Sequence, residues 1–230
     1  EEMIRRGRAW VLAEILRAVD LANNLGVQVV GLGAFTTVFS RRGLDVVGRV
    51  PVVTTGNALT AGMAFAAIQY VLQHRQQSWS ELTVGIVGAQ GSVGSLCAKL
   101  LARTQPRNLI LVGNPASGTH RLQQVYTALT DLTDGPLNIT RDLSQLRHCQ
   151  VILSATSSSQ PVLDDAPLQP GTLVCDVARP PDASERLRHR HDITVIDGGL
   201  VRLPDATLRF GVGNIQGFPD GVQLACLAET

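Results

Sequence analysis

The stretch that decides the fold is Leu82-Thr-Val-Gly-Ile-Val-Gly-Ala-Gln-Gly-Ser-Val-Gly94. An apolar run ends at Gly88, and Gly91 and Gly94 follow it. This pattern is typical of a buried strand that enters a tight turn and then a helix. The start of such a helix directs free backbone N–H groups and a positive dipole end at the turn, which suits the pyrophosphate of a dinucleotide. The motif predicts an NAD(P) site, with a strand-turn-helix of some other α/β domain as the alternative.

The surroundings of the motif favour the dinucleotide interpretation. An amphipathic segment follows Gly94, and a second apolar run, Asn108 to Val112, arrives at the spacing of a βαβ unit. We therefore expect the turn and the first helical residues to contact the cofactor. The predicted contacts here are Gly88, Gln90, Gly91, Ser92, Val93 and Gly94.

The residues after the second run indicate which cofactor is bound. An NAD enzyme usually has an acidic residue ~20 residues past the glycines, where it holds the ribose 2′-hydroxyl. Here the run continues Val112-Gly-Asn-Pro-Ala-Ser-Gly-Thr-His-Arg121, and no carboxylate occurs before Asp131. We therefore predict NADPH, with Asn114 and Arg121 near its 2′-phosphate. The alternative for Arg121 is a solvated residue on the next helix.

The remaining chain alternates apolar runs with helical patterns, which predicts an α/β fold with a doubly wound parallel sheet. The predicted sheet strands are Thr83 to Val87, Leu109 to Val112, Leu137 to Thr140, Val151 to Ser154, Leu173 to Asp176 and Ile193 to Ile196. Ligands in such folds bind beyond the carboxyl ends of the strands. Thr156 and Ser157 follow the fourth of these strands, so we expect them beside the nicotinamide ribose.

Three regions are predicted along the chain. Residues 1–79 form a smaller N-terminal α/β lobe for catalysis and substrate, residues 80–215 form the Rossmann-like NADP-binding domain, and residues 216–230 form a return helix. The chain opens inside one helical pattern and stops inside another. We expect the N-terminal lobe to be truncated and the chain to be part of a larger multidomain protein.

Composition limits the classes of function. With 44% hydrophobic and 17% charged residues the chain is expected to be soluble and globular, and a net charge of +1 argues against a nucleic-acid partner. Its longest apolar stretch, Ala58 to Leu72, is too short for a membrane span. The four cysteines lack CxxC spacing, so we expect no metal site and a reducing, cytoplasmic setting.

Two reactions fit these features. Hydride exchange with a small alcohol or keto acid commonly uses a lysine, histidine or tyrosine to move the proton. Lys99 is the only lysine and follows the glycine turn, so a Lys–Asp pair of the shikimate dehydrogenase type is not available. Reduction of a thioester instead needs a thiolate nucleophile. Cys226 lies in the return segment towards the first lobe, with a small buried side chain as the alternative.

Several segments together resemble the cyanobacterial long-chain acyl-[acyl-carrier-protein] reductases. The more particular ones are Thr54-Thr-Gly-Asn-Ala-Leu-Thr-Ala61 and Leu224-Ala-Cys-Leu-Ala-Glu-Thr230. The resemblance implies an NADPH-dependent reductase, or a related thioester reductase domain, that converts a carrier-bound acyl thioester to an aldehyde. It places the acyl-accepting cysteine at Cys226 and implies a partner, an acyl carrier protein or carrier domain with a phosphopantetheine arm.

The expected oxyanion donors of that reaction are Thr55, Asn57 and nearby backbone N–H groups at a helix start. Helix capping by Thr55 is the structural alternative. Two other functions stay open: an NADP-dependent dehydrogenase or reductase of a small free substrate without covalent catalysis, and a non-catalytic NADP-binding module.

Overall fold

The computed structural model describes residues 2–33, 36–164, 166–208 and 217–230. The chain divides into two compact units. We call Thr60–Leu200 the sheet unit, and Glu1–Leu59 together with Val201–Thr230 the terminal unit.

The secondary structure follows the chain in alternation. The helices are α1 Glu2–Asn24, α2 Thr36–Phe39, α3 Asn57–His74, α4 Ser92–Ala102, α5 His120–Leu129, α6 Glu185–Arg188 and α7 Ala225–Ala228. The strands are β1 Val29–Gly31, β2 Val52–Thr54, β3 Thr83–Val87, β4 Asn108–Val112, β5 Leu137–Thr140, β6 Val151–Ser154, β7 Leu173–Asp176, β8 Thr194–Asp197, β9 Leu200–Arg202 and β10 Val222–Leu224. Two 3₁₀ helices, Trp79–Glu81 and Leu143–His148, precede β3 and β6.

A six-stranded parallel sheet forms the centre of the sheet unit. Its strand order is β5-β4-β3-β6-β7-β8. From β3 the chain first builds outwards through β4 and β5, and then returns to the other side of β3 to add β6, β7 and β8. The order therefore reverses between β3 and β6, which is where open sheets of this kind form a ligand crevice beyond their carboxyl ends.

Burial on both faces explains why these segments are strands. All residues of β3, β6 and β7 are buried, so continuous apolar and β-branched runs are stable where an alternating pattern would expose one face. One face packs on α3, α4 and α5 through side chains such as Ile68, Leu101 and Leu129. The other packs on shorter segments that carry Leu146, Leu163 and Leu187.

The terminal unit has its own small core. Val11, Ile15 and Val19 lie on one side of α1 at helical spacing and pack with Leu32, Val46 and Val50. β1 and β2 pair in parallel, and β9 pairs with β10. α1 is interrupted at Gly7, whose φ of 77° is outside the helical region.

The predicted fold class, a doubly wound parallel sheet, is confirmed. The structure of the predicted return helix differs from the prediction. Residues 222–224 form the strand β10, and only Ala225–Ala228 of this segment are helical among the described residues. Pairing with β9 determines the conformation of residues 222–224, and helical spacing of apolar residues could not reveal that partner. The glycine-rich residues 211–216 lie outside the described residues. The division at 79/80 and 215/216 into regions of different function stays a prediction.

Candidate functional site

The glycine turn lies at the carboxyl end of β3, beside the reversal of strand order. Gly88 has a φ of +78°, which favours glycine, and a Cβ there would lie 2.6 Å from the carbonyl oxygen of Ala155. A Cβ on Gly94 would overlap the carbonyl oxygen of Gly88, because α4 packs directly on the turn. The turn therefore requires glycine at both positions, because the protein's own backbone occupies the space that each Cβ would take.

α4 begins at this turn with Gly91 as its N-cap residue. A helix leaves the N–H groups of its first turn without intrahelical acceptors. Here those groups belong to Ser92, Val93 and Gly94, and the Gly91 carbonyl already accepts the N–H of Ser95 at 2.9 Å. With the positive end of the helix dipole, these N–H groups form a suitable cradle for phosphate.

The loop after β4 is tied to the glycine turn by a side chain. Gln90 Oε1 accepts the backbone N–H of Asn114 at 3.2 Å, and Asn114 Oδ1 accepts the N–H of Ala116 at 2.8 Å. Both predicted cofactor residues therefore also shape the loop. Arg121 is exposed in the first turn of α5, so its guanidinium is accessible to a charged group.

The loop after β6, residues 155–160, is held by a fully buried acid that sequence reasoning missed. Asp182 accepts the Ser154 hydroxyl at 2.6 Å, the Thr156 N–H at 3.0 Å and the Thr156 hydroxyl at 2.5 Å. Thr156 is half-buried and Ser157 is exposed. The predicted ribose contacts therefore lie on a loop that the buried Asp182 carboxylate holds in place.

A second buried acid, Asp176, organises the loop after β7. Its carboxylate accepts the N–H groups of Ala178, Asp182 and Ala183, and it pairs with the Arg188 guanidinium at 3.0 Å. Burial raises the pKa of Asp176 above its usual range, while the backbone N–H groups oppose that shift. The only sequence signal for these acids was the spacing Asp176-Val-Ala-Arg-Pro-Pro-Asp182, which does not reveal their partners.

The cysteines differ in environment. Cys97, Cys149 and Cys175 are buried, and burial raises the pKa of Cys97 and of Cys149 to about 12 and raises the pKa of Cys175 as well. Cys226 is half-buried, in the first turn of the four-residue α7. These environments suit packing for the three buried thiols.

The segments that carry the Thr-Thr-Gly-Asn and Ala-Cys-Leu-Ala-Glu motifs contact each other within the terminal unit. Glu229 accepts the Leu59 N–H at 2.6 Å and the Thr54 hydroxyl, so it caps the start of α3. A Cβ on Gly56 would overlap the backbone of Cys226. Thr55 and Asn57 lie at this start of α3 and are half-buried, while the capping that was considered for Thr55 involves Thr54 and Glu229 instead.

Together, the strand order, the glycine turn at the reversal and the phosphate cradle of α4 define a Rossmann-like, dinucleotide-binding protein. Residues 70–197 match the family model described as shikimate / quinate 5-dehydrogenase. The chain belongs to this family of oxidoreductases. The family uses NADP, which confirms the predicted cofactor.

Individual relatives extend the comparison. The aminotransferase PigE of Serratia sp. (strain ATCC 39006) is 30% identical over 238 residues, which cover 100% of this chain and 27% of PigE. This chain thus spans about a quarter of that curated relative. Ornithine transcarbamoylase from Giardia lamblia shares the fold with a TM-score of 0.52 at 9% identity, over 80% of this chain and 69% of that one. Shikimate 5-dehydrogenase from Listeria monocytogenes, in complex with shikimate and NAD, has a TM-score of 0.45 at 15% identity, over 66% and 55%.

The resemblance to acyl-[acyl-carrier-protein] reductases is corrected by the family match. The carrier-bound acyl thioester as substrate, the aldehyde-forming acyl-enzyme reaction and the acyl carrier partner are withdrawn with it. The physical reason is that the glycine-rich segments of the resemblance are common to many dinucleotide folds, and its two more particular motifs pack on each other through Gly56 and Glu229. These contacts give both motifs a structural role that does not depend on the reaction.

No helix among the described residues combines the length and hydrophobicity that a membrane span needs.

Proposed function

We propose that this chain is the NADPH-binding catalytic part of an oxidoreductase that interconverts a hydroxyl and a carbonyl group on a small, free substrate, without a covalent enzyme intermediate. The observation that carries the proposal is the glycine turn of a shikimate / quinate 5-dehydrogenase family chain, located where the strand order reverses. The N–H groups at the start of α4, next to this turn, fit the close approach of a pyrophosphate.

Each predicted cofactor residue has a part in this proposal. The N–H groups of Ser92 and Val93, at the start of α4, bind the phosphates. Gly91 donates its own N–H to the Gly88 carbonyl at 2.9 Å and so holds the turn next to them. Gln90 and Asn114 hold the loop after β4 in place, and Arg121 neutralises the 2′-phosphate. Thr156 and Ser157 lie along the nicotinamide ribose. NADPH, when bound, supplies the hydride.

Proton transfer must use a group other than lysine in this chain. Lys99, the only lysine, is on α4. Thr55 and Asn57 are our candidates for hydrogen-bond donors to the substrate oxygen, because polar groups at a helix start favour developing negative charge. The proton that completes the alcohol comes from a water molecule, which leaves hydroxide to the solvent. The role of Cys226 as an acyl acceptor belonged to the withdrawn reaction and forms no part of this proposal.

The wider setting is also proposed. The chain spans 27% of the relative PigE, so we propose this activity for the chain itself. None of the four cysteines, all of them among the described residues, forms a disulfide, which suits a reducing compartment, so we propose the cytoplasm as the location.

Titration with NADPH and with NADH, followed by nicotinamide fluorescence, tests the proposal. We expect Arg121→Ala to weaken NADPH binding by roughly tenfold and to leave NADH binding nearly unchanged, because a charge-assisted hydrogen bond to phosphate is lost. Arg103→Ala, at the exposed carboxyl end of α4, is the matched control and should bind both cofactors as the wild type does. A wild type that binds neither cofactor would contradict the proposal.

A further inference from the structure

We infer that Asp182 is a positioning residue for the nicotinamide half of the cofactor. Its buried carboxylate fixes residues 155–160, the loop after β6, against the glycine turn. This inference rests on the proposed function, since it assumes that NADPH binds at that turn.

Three hydrogen-bond donors converge on the carboxylate of Asp182. Asp182 is 0% exposed, and its Oδ2 atom accepts both the Ser154 hydroxyl at 2.6 Å and the Thr156 N–H at 3.0 Å. Its Oδ1 atom accepts the Thr156 hydroxyl at 2.5 Å. Three donors thus fill both oxygens. An asparagine has a single carbonyl oxygen, and its amide group would face a donor, so it cannot satisfy the same set.

A relay of hydrogen bonds continues from Asp182 along the loop after β6. Because the Thr156 hydroxyl donates to Asp182, its oxygen is oriented to accept the Ser158 N–H at 3.1 Å. The Ser158 hydroxyl in turn donates to the Gln160 carbonyl at 2.7 Å and accepts the Gln160 N–H at 3.1 Å. The conformation of the loop from Thr156 to Gln160 therefore depends on the buried acid.

The loop after β6 contacts the glycine turn. A Cβ on Gly88 would lie 2.6 Å from the Ala155 carbonyl oxygen and 3.2 Å from Thr156 Cγ2. The loop and the turn therefore meet at the reversal between β3 and β6, and a shift of the loop changes the space at the crevice.

The nicotinamide half of the cofactor is the half that lies near this loop. A dinucleotide crosses the crevice with one mononucleotide half over each set of strands. The predicted 2′-phosphate residues follow β4, so the adenosine half lies over β3 and β4, and the nicotinamide half lies over β6 and β7. Asp182 is itself positioned from β7, since Asp176 accepts its backbone N–H at 3.3 Å.

The experiment compares two probes, NADPH and adenosine 2′,5′-bisphosphate, which contains only the adenosine half. Both are titrated by calorimetry into the wild type, Asp182→Asn, Thr156→Val and Thr156→Ser. We expect Asp182→Asn and Thr156→Val to weaken NADPH binding by roughly tenfold while binding of adenosine 2′,5′-bisphosphate stays within about twofold. Thr156→Ser keeps the hydroxyl and should retain NADPH affinity.

Two controls separate positioning from a general loss of stability. Leu72→Ala removes a core side chain of α3 that is 2% exposed, and it should lower the unfolding midpoint without changing either affinity. The double variant Asp182→Asn/Thr156→Val should bind NADPH no more weakly than the worse single variant, because both substitutions break the same relay.

Equal loss of both probes, or unchanged NADPH binding in Asp182→Asn and Thr156→Val, would overturn this inference alone. If Asp182→Asn does not fold, Ser158→Ala decides with the same two probes, because it breaks the relay at a residue outside the predicted cofactor contacts. A wild type that binds neither probe would overturn the proposed function, and this inference with it.

Discussion

At the residue scale, Asp176 and Asp182 are each 0% exposed, although burial of a charge is costly without partners. Both are stabilised by several donors, and Asp176 also by Arg188. An unsatisfied buried acceptor costs about 1–3 kcal/mol, so these bonds fix the course of the loops after β6 and β7. The sequence could indicate an acid at the end of a strand. It could not indicate those partners, because they depend on how two loops meet.

Glu229 provides a stability test at this scale. Glu229→Gln should lower the free energy of unfolding by about 0.5–2 kcal/mol, because the carboxylate caps the start of α3 through the Leu59 N–H and also binds Thr54. Urea unfolding measures the change. Glu185→Gln, at a side chain that is 84% exposed, is the control and should change stability by less than about 0.5 kcal/mol. Equal effects at the two positions would contradict the capping role.

The thiols provide a test of reactivity against pH. With native protein at pH ~8, iodoacetamide should label Cys226 and spare Cys97, Cys149 and Cys175, since the first is half-buried and the others are buried. Because burial raises the pKa of Cys97 and of Cys149 to about 12, their thiolate fraction should rise about tenfold for each pH unit below that value while the fold persists. Peptide mass spectrometry reads the labelling, and denatured protein should label at all four. Native labelling of Cys97 at the rate of Cys226 would refute this assignment.

At the scale of elements, β3, the glycine turn and α4 were the most predictable part of the chain. The predicted strand Thr83 to Val87 has the observed bounds, because an apolar run that ends at a glycine has few other stable conformations. The return segment was less predictable. β10 depends on pairing with β9, which is about twenty residues away in the chain, so local spacing suggested a helix instead.

The turn gives a matched pair of glycine substitutions. Gly94→Ala should weaken NADPH binding at least about tenfold, because the new Cβ overlaps the Gly88 carbonyl oxygen and displaces α4 from the turn. Gly62→Ala, in the interior of α3, meets nothing within 4 Å and should stabilise the protein by about 0.5–1 kcal/mol with unchanged binding. Calorimetry and urea unfolding measure both effects. Unchanged NADPH affinity in Gly94→Ala would exclude the turn as the phosphate site.

At the scale of the whole molecule, the fold class followed from the order of apolar runs, because a parallel sheet covered on both faces requires continuous hydrophobic strands. The reaction did not follow in the same way. The motif Thr54-Thr-Gly-Asn57 was interpreted as evidence for thioester chemistry, whereas its Thr54 hydroxyl donates to Glu229, which also caps α3. The cofactor was predictable because the glycine turn that marks its pyrophosphate site is one local segment, whereas a substrate site draws residues from distant parts of the chain.

The most direct test of the proposed oxidoreductase is the transfer of deuterium from NADPH that carries deuterium in both positions at C4 of its nicotinamide. The chain is incubated with a panel of small, free ketones and keto acids, and the products are analysed by mass spectrometry. We predict a product alcohol that carries deuterium with the wild type and with Gly62→Ala, and a greatly reduced amount with Gly94→Ala. Stoichiometric binding of NADPH with no deuterium in any product would contradict the account and would favour a non-catalytic NADP-binding module.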